Sequence, residues 1–374
     1  MIKVLHVISD TGIGGAGVLL LNLLKHGDIA RFSYSVALPR RSLLLPRLQE
    51  IGIQTMPLDY LADRSADPAA IPALLSLFAR EKPNILHTHA GFSARAAGLL
   101  TGIPVRVNTK HCLTGSGGFR PLRAGLENVL STHHIATAQA AGELLLHEGI
   151  YSTKIHIIEN GSDPIPRLPS KEKSLLRQEL GIPETAFVIG MAARMERGKG
   201  QETLLAAAKM IARQEPSLIF LFAGTGSMEN DLRQKAKEWG LLENVKFLGF
   251  RADAGRIMNL FDLNINASYI SETSSLSLSE GMSLGIVPVV SRIGGNPFMA
   301  DFGRCGVIVP PRAPEALAEA ILALYHSPRA RAELSRRALT HYESHFRAED
   351  MARRTEALYL RALEEATIDK MHSP

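Results

Sequence analysis

The sequence predicts an α/β protein made of two Rossmann-like domains facing a cleft, and three observations carry that prediction. Its 374 residues exceed the size at which one hydrophobic core keeps growing, so two domains are expected. Apolar, β-branched runs of strand length alternate with longer stretches of helical period, the pattern of parallel sheets covered by helices. The alternation runs twice, and the proline-rich stretch Pro164-Ile165-Pro166-Arg167-Leu168-Pro169 separates the two runs as a domain boundary does.

In the first run the strand candidates are Val4 to Ile8, Tyr34 to Leu38, Ile85 to Thr88, Val105 to Thr109, His134 to Ala138 and Ile155 to Glu159. The second run offers Phe187 to Met191, Leu218 to Ala223, Val245 to Leu248, Leu263 to Ala267, Val287 to Val290 and Val307 to Val309. Helical patterns fill the gaps, and Ala348 to about Ala366 reads as one strong helix after the last strand. Open sheets of this kind bind ligands beyond the carboxyl ends of their strands, so motifs at strand ends carry the functional argument.

Composition narrows the classes. Hydrophobic residues at 45% and charged residues at 21% are ordinary for a chain that folds throughout. The two cysteines, Cys112 and Cys305, lack metal-ligand spacing and suit a reducing compartment. Met1 runs directly into a strand-like segment, and no apolar run approaches the ~20 residues of a membrane span. A cytoplasmic protein is expected, with any membrane contact peripheral. A formal charge of +5 favours anionic partners, but no basic run interleaved with aromatics points to nucleic acid. Two short clusters, Arg40, Arg41 and Arg47 beside Leu43 to Leu45, and Arg120 and Arg123 beside Phe119 and Leu122, are candidates for anionic lipid, although such clusters are more often solvated surface.

Three motifs sit where such sheets bind ligands. Thr11-Gly12-Ile13-Gly14-Gly15-Ala16-Gly17 joins the first strand to an apolar helix over Val18 to Leu24, and its small residues admit a phosphate or sugar to the helix N-terminus. It also fits a dinucleotide fingerprint, and Arg40 and Arg41 suit the 2′-phosphate of NADP, so an NADP-dependent oxidoreductase stays open on this motif alone. In the second half Arg194 and Lys199, the latter between Gly198 and Gly200, follow a strand and can hold a diphosphate from two sides. Ser271 to Gly285 holds Glu272 and Glu280 around a hydroxyl-rich turn. With a helix beginning near Ser274, Glu280 falls in its second turn and Glu272 before its N-terminus.

This order of motifs resembles glycosyltransferase family 4, a family of retaining enzymes with the GT-B fold. The likeness rests on the Gly14-Gly15 loop, Ile85-Leu86-His87-Thr88-His89, Ile158-Glu159-Asn160-Gly161-Ser162-Asp163, Arg194 with Lys199-Gly200, Ala223-Gly224-Thr225-Gly226, and Glu272 spaced from Glu280. The resemblance implies an N-terminal, acceptor-side domain of residues 1–163 plus 348–374 and a nucleotide-sugar-binding domain of residues 170–347. It assigns Arg194 and Lys199 to the donor diphosphate, Glu280 to the ribose and Glu272 to the transferred sugar. Backbone N–H groups of Ser275 and Leu276 would cap phosphates and sugar, Gly14, Gly15 and Gly224 would line the donor site, and His111 would face the reacting sugar.

The segments Thr273-Ser274-Ser275 and Asn296-Pro297-Phe298 depart from the family's habit, which leaves the donor sugar undecided. No cofactor is expected beyond the nucleotide-sugar substrate, and no Asp-x-Asp pair is present to hold a metal. His87 and His89 read as packing residues rather than metal ligands. The expected activity is transfer of a sugar from a nucleotide diphosphate sugar to a sugar, lipid-linked or small-molecule acceptor, in polysaccharide or glycolipid assembly. A noncatalytic nucleotide-sugar-binding protein is the remaining alternative.

Overall fold

The computed structural model describes residues 1–59, 66–89, 91–111, 113 and 120–372, without the side chains of 120, 121, 369, 370 and 372. Cys112, Phe119 and the side chain of Arg120 therefore lie outside the described residues. The chain divides into two compact units, Met1–Gly161 with Ala348–Pro374, and Ser162–Arg347.

Unit 1 is built on a seven-stranded parallel sheet of β1 (Ile2–Ile8), β2 (Phe32–Pro39), β3 (Gln54–Leu58), β4 (Ile85–His89), β5 (Val105–Lys110), β6 (His133–Ala136) and β7 (Ile155–Ile157). Their order across the sheet is β3-β2-β1-β4-β5-β6-β7. The central strands are buried along nearly their whole length, as expected where helices cover both faces. β3 escapes the sequence reading because it is a five-residue edge strand containing Pro57, a residue that edges tolerate and central strands do not.

The helix Ala348–His372 completes this unit. Met351, Leu358 and Tyr359 join Leu20, Phe32 and Val36 in one buried cluster. Polar contacts fix its pitch: Glu356 Oε1 accepts from the Tyr34 hydroxyl at 2.5 Å and from the Asp28 N–H at 2.6 Å, and Arg354 pairs with Glu159 at 2.7 Å.

Unit 2 carries six parallel strands, β8 (Phe187–Ala192), β9 (Leu218–Ala223), β10 (Val245–Gly249), β11 (Leu263–Asn266), β12 (Val287–Ser291) and β13 (Val307–Val309), in the order β10-β9-β8-β11-β12-β13. One face packs Ile189, Phe220, Phe222 and Val289 against Leu204, Ala208, Leu317 and Ile321. The proline-rich stretch is no free linker. It is pinned to unit 2 by Asn259, whose side chain accepts from the Leu168 N–H at 2.8 Å and donates to the Pro166 carbonyl at 3.1 Å. The division between units falls before it, at Gly161 and Ser162.

Candidate active site

In each sheet the strand order reverses once, and at such a switch point the loops leaving neighbouring strands diverge and open a crevice. Unit 2 reverses between β8 and β11. The loop after β8 brings Arg194 to Gly200, and the loop after β11 brings Ser268 to Ser275. These loops touch at Gly200, which holds φ 88° and where an added Cβ would lie 2.0 Å from the Ala267 carbonyl oxygen. Only glycine permits that approach. It sets the neighbouring Lys199 ammonium 3.0 Å from Glu272 Oε2.

Glu272 is positioned from three directions. The same Oε2 accepts from the Ser268 hydroxyl at 2.9 Å and from Asn266 Nδ2 at 3.2 Å. The Glu272 backbone carbonyl accepts from the Gly295 N–H at 3.0 Å. Asn266 is itself seated by Asn296, whose Nδ2 approaches its Oδ1 at 3.4 Å. A carboxylate held in this way keeps a fixed direction, and charge-assisted bonds of this type are the stronger class.

The following helix spans Leu276–Ser283, with Ser275 as its N-cap; the Ser275 hydroxyl accepts from the Leu278 N–H. It begins two residues later than the sequence suggests because Ser275 is still extended, with φ −76° and ψ 113°. Glu280 remains in its second turn. Among the described residues nothing accepts from the N–H groups of Ser275 and Leu276, so this helix end offers donors and positive potential. Glu280 is half-buried and its carboxylate has no hydrogen-bond partner among the described residues. Burial alone pushes its pKa up to about 7.

Arg194 is exposed. Its loop is clamped to the one after β9 by backbone bonds from Ala193 N–H to the Ala223 carbonyl at 3.0 Å and from Met195 N–H to the Thr225 carbonyl at 2.8 Å. At Gly224, φ is 139° and a Cβ would stand 2.1 Å from the Ala193 carbonyl oxygen. Gly224 therefore serves as a spacer under Arg194. Arg194, Lys199, Gly224, Glu272, Ser275, Leu276 and Glu280 all belong to the strand-end loops and helix start of unit 2.

The remaining candidates belong to unit 1, whose order reverses between β1 and β4. Gly14 is the N-cap of the helix Gly15–Lys25; among the described residues no side chain caps that end, and a Cβ at Gly14 or Gly15 would meet nothing within 4 Å. Local packing does not require glycine there. His111 follows β5 directly, and its Nε2 lies 3.0 Å from His89 Nδ1. His89 Nε2 in turn lies 3.3 Å from His6 Nδ1. Burial lowers the pKa of His111 to about 4 and of His6 to about 3, and drives that of His89 well below its ordinary value.

His6, His87 and His89 bring ring nitrogens within 4.8 Å of one another. His87, however, engages both of its nitrogens, with the Tyr359 hydroxyl at 2.5 Å and the Thr109 hydroxyl at 2.7 Å. That pairing makes it a strap between sheet and helix rather than a ligand. The sequence reading missed His6, Asn266 and Ser268. Polar residues alternating through Leu263-Asn264-Ile265-Asn266, in a strand otherwise expected to be apolar, were the available signal for Asn266.

Of the two basic-apolar clusters, the first is largely tied down. Leu44 is buried, Leu45 packs on the core and Arg40 pairs with Asp59 at 2.8 Å. In the second, the helix Arg120–Leu130 turns its polar side inward. Glu127 pairs there with Arg95, and Asn128 donates to the Ala124 and Gly149 carbonyls, while Leu122, Leu126 and Val129 are exposed. No helix among the described residues is long and apolar enough to cross a membrane.

Two doubly wound units of this topology constitute the GT-B class of glycosyltransferase. Residues 13–164 match the family described as Glycosyltransferase Family 4, and residues 172–341 match Glycosyl transferases group 1. The chain belongs to these glycosyltransferases, with a family 4 domain preceding a group 1 domain. It is 29% identical to the UDP-Gal:alpha-D-GlcNAc-diphosphoundecaprenol alpha-1,3-galactosyltransferase of Escherichia coli over 62% of this chain and 63% of that one. It is 29% identical to EpsD of Bacillus subtilis over 49% of this chain and 48% of the relative. The matched region thus spans 63% of the first of these curated relatives and 48% of the second. Anabaena HepE, solved in complex with UDP-glucose, superimposes with a TM-score of 0.82 at 22% identity, over 96% of this chain and 99% of HepE. This membership sets aside the oxidoreductase reading of the first glycine loop.

Proposed function

We propose that the chain transfers a hexose from a UDP-sugar to a lipid-linked acceptor, with retention of configuration and without a divalent metal. The observation that carries this reading is a set of groups at the unit 2 switch point that have no hydrogen-bond partner among the described residues: the Arg194 guanidinium, the helix-start N–H groups of Ser275 and Leu276, and the Glu280 carboxylate. Cation and N–H groups suit a diphosphate, and a half-buried carboxylate lacking donors suits the two hydroxyls of a ribose.

As the C1–O bond to the diphosphate breaks, negative charge grows on the leaving group, and preorganised donors lower the barrier. Lys199 serves that end while its contact with Glu272 keeps the carboxylate in register for a hydroxyl of the transferred sugar. The acceptor oxygen bonds to C1 on the face the diphosphate leaves, and its proton passes to the departing phosphate oxygen. By the family resemblance, His111 of unit 1 is the residue assigned to the reacting sugar. The Escherichia coli relative's name supports a UDP donor and a diphosphoundecaprenol acceptor. The outward Leu122, Leu126 and Val129, with Arg123 on the same helix, support docking at a membrane surface.

The test is a transfer assay with UDP-galactose, UDP-glucose and UDP-GlcNAc, a polyprenyl-diphosphate sugar acceptor and excess EDTA, with the new linkage read by NMR. An α-linked product is expected from the α-linked donors. A β-linked product, or activity that vanishes with EDTA and returns with magnesium, overturns the mechanism. UDP-sugar binding with no transfer to any acceptor points to the noncatalytic alternative.

A further inference from the structure

Lys199 stands between Gly198 at φ 97° and Gly200 at φ 88°, and glycine is the residue with the most backbone freedom to lose. A lysine mounted on such a turn needs something outside it to fix its direction. One side chain spans the turn. The Tyr269 N–H donates to the Gly198 carbonyl at 2.8 Å and the Tyr269 hydroxyl donates to Glu202 Oε1 at 2.5 Å, so a single residue grips the chain on both sides of Lys199 and Gly200. Glu202 lies in the first turn of the helix Gln201–Ile211, which makes the far anchor a firm one. The adjoining Ile270 closes over Gly198, where an added Cβ would stand 2.6 Å from its Cδ1.

The Tyr269 ring is held in turn by Arg312, whose guanidinium carbon lies 4.1 Å from the ring centroid. Arg312 comes from the loop after β13 and is exposed. Its φ is 57°, a left-handed conformation that glycine adopts freely and arginine only at a cost. The gain from stacking an exposed guanidinium on tyrosine is of the same order as that cost. The arginine therefore adds little net stability, and upkeep of the fold does not explain it. Backbone strain of this kind gathers at sites where function demands it.

We propose that Tyr269 and Arg312 are positioning residues for the transfer reaction: Tyr269 splints the turn 198–202, Arg312 keeps the ring seated by stacking on it, and together they aim the Lys199 ammonium. The loops after β8, β11 and β13 are sewn together at this one ring. The 3.0 Å contact of Lys199 with Glu272 does not do this by itself, because an ammonium on a four-carbon stem can keep such a contact from many backbone positions. The kinetic consequence rests on the functional reading of Lys199 above, but the splint itself does not.

The experiment uses the full chain and three substitutions. Arg312→Gly removes the stacking group and relieves the backbone, Tyr269→Phe keeps the ring and loses the bond to Glu202, and Tyr269→Leu removes the ring. Hydrogen exchange read by mass spectrometry on peptides covering residues 196–204 reports the turn without any substrate. Exchange there rises several-fold in Arg312→Gly and Tyr269→Phe, and further in Tyr269→Leu. The urea midpoint of Arg312→Gly meanwhile stays at the wild-type value or rises, since glycine is at ease in that conformation.

Turnover with a UDP-sugar and a polyprenyl-diphosphate sugar acceptor falls ~10-fold in Arg312→Gly and in Tyr269→Phe, the scale of a small misplacement of a catalytic group, with donor KM unchanged. Glu202→Gln, which keeps an oxygen for the hydroxyl, retains wild-type exchange and most of the turnover. Arg312→Gly costs nothing further in the Tyr269→Leu chain, because the ring it seats is already gone. Unaltered exchange in both Arg312→Gly and Tyr269→Phe overturns the proposal. So does an Arg312→Gly loss that persists undiminished beside Tyr269→Leu, the signature of an arginine acting on substrate by itself. Should Tyr269→Leu fail to fold, exchange in the other two variants still decides. If exchange comes out as expected while Lys199→Ala turns over like wild type, the splint stands and the part given to Lys199 falls.

Discussion

Replacing Glu280 by glutamine should make unit 2 more stable and the protein a poorer donor binder. Burial without a hydrogen-bonding partner raises the Glu280 carboxyl from 4.5 to about 7. The fold therefore prefers the protonated form. Its stability is undiminished below pH 4.5, declines as pH rises between the two values, and carries the full penalty above 7. Linkage puts that penalty at roughly 3 kcal/mol near pH 8 and roughly 1 kcal/mol near pH 5. Glutamine keeps the shape and removes the charge, so it should recover about those amounts. Trp239, the chain's single tryptophan, packs on the unit 2 core beneath Lys209, and its emission during urea unfolding reports this unit alone. The same substitution removes a charged acceptor for ribose hydroxyls and should weaken UDP-glucose ~10- to 100-fold. A variant no more stable than wild type near pH 8, or one whose gain is equal at both pH values, refutes the reasoning.

Lys199→Ala should lower kcat by ~100- to 1000-fold, as removal of one preorganised donor does elsewhere; a rate within threefold of wild type in the EDTA-containing assay would take Lys199 out of the charge-stabilising set. Gly200→Ala forces a Cβ against the Ala267 carbonyl at φ 88° and should cost at least ~1 to 3 kcal/mol by the same tryptophan-monitored unfolding, so an unchanged midpoint contradicts the close approach. Acid should loosen unit 1 first. Burial lowers the pKa values of His6, His87, His89 and His111. Their share of stability is thus whole above 6.5 and falls as the unfolded chain takes up protons below it, by about 1.4 kcal/mol per histidine per pH unit. Hydrogen exchange between pH 7 and pH 5 should show β1 and β4 losing protection before β8 and β9, and the reverse order would exclude this account.

The legibility of the chain followed the range of the forces involved. Twelve of the strands are legible in the sequence, most of them as apolar runs because both faces of a covered parallel sheet must be apolar, whereas β3, short and carrying Pro57 at the edge, has no such demand on it. Lys199 and Glu272 stood out through the glycines and hydroxyl residues around them. Their meeting at 3.0 Å, and the support from Asn266 and Ser268, depend on which strands become neighbours. The line from His6 to His111 is the extreme case. Its members lie 83 and 22 residues apart along the chain at successive contacts, and only the sheet register aligns them. The partnerless state of Glu280 was equally invisible, since a sequence shows which acids exist and never which donors are missing.

The helix Ala348–His372 gives the chain an order of assembly. It fills the core beside Leu20 and Phe32 and offers Tyr359 to His87, yet it is synthesised only after the uninterrupted run Ser162–Arg347 that forms unit 2. A nascent chain halted before residue 348 already holds everything unit 2 requires, while unit 1, begun first, still has an apolar groove and an unanswered His87 at its centre. Domains of a growing chain ordinarily mature from the N-terminus onward. Here the half made first is finished last, and for the whole time unit 2 is being translated its neighbour must wait in a partly open state, exposed to chaperones and proteases.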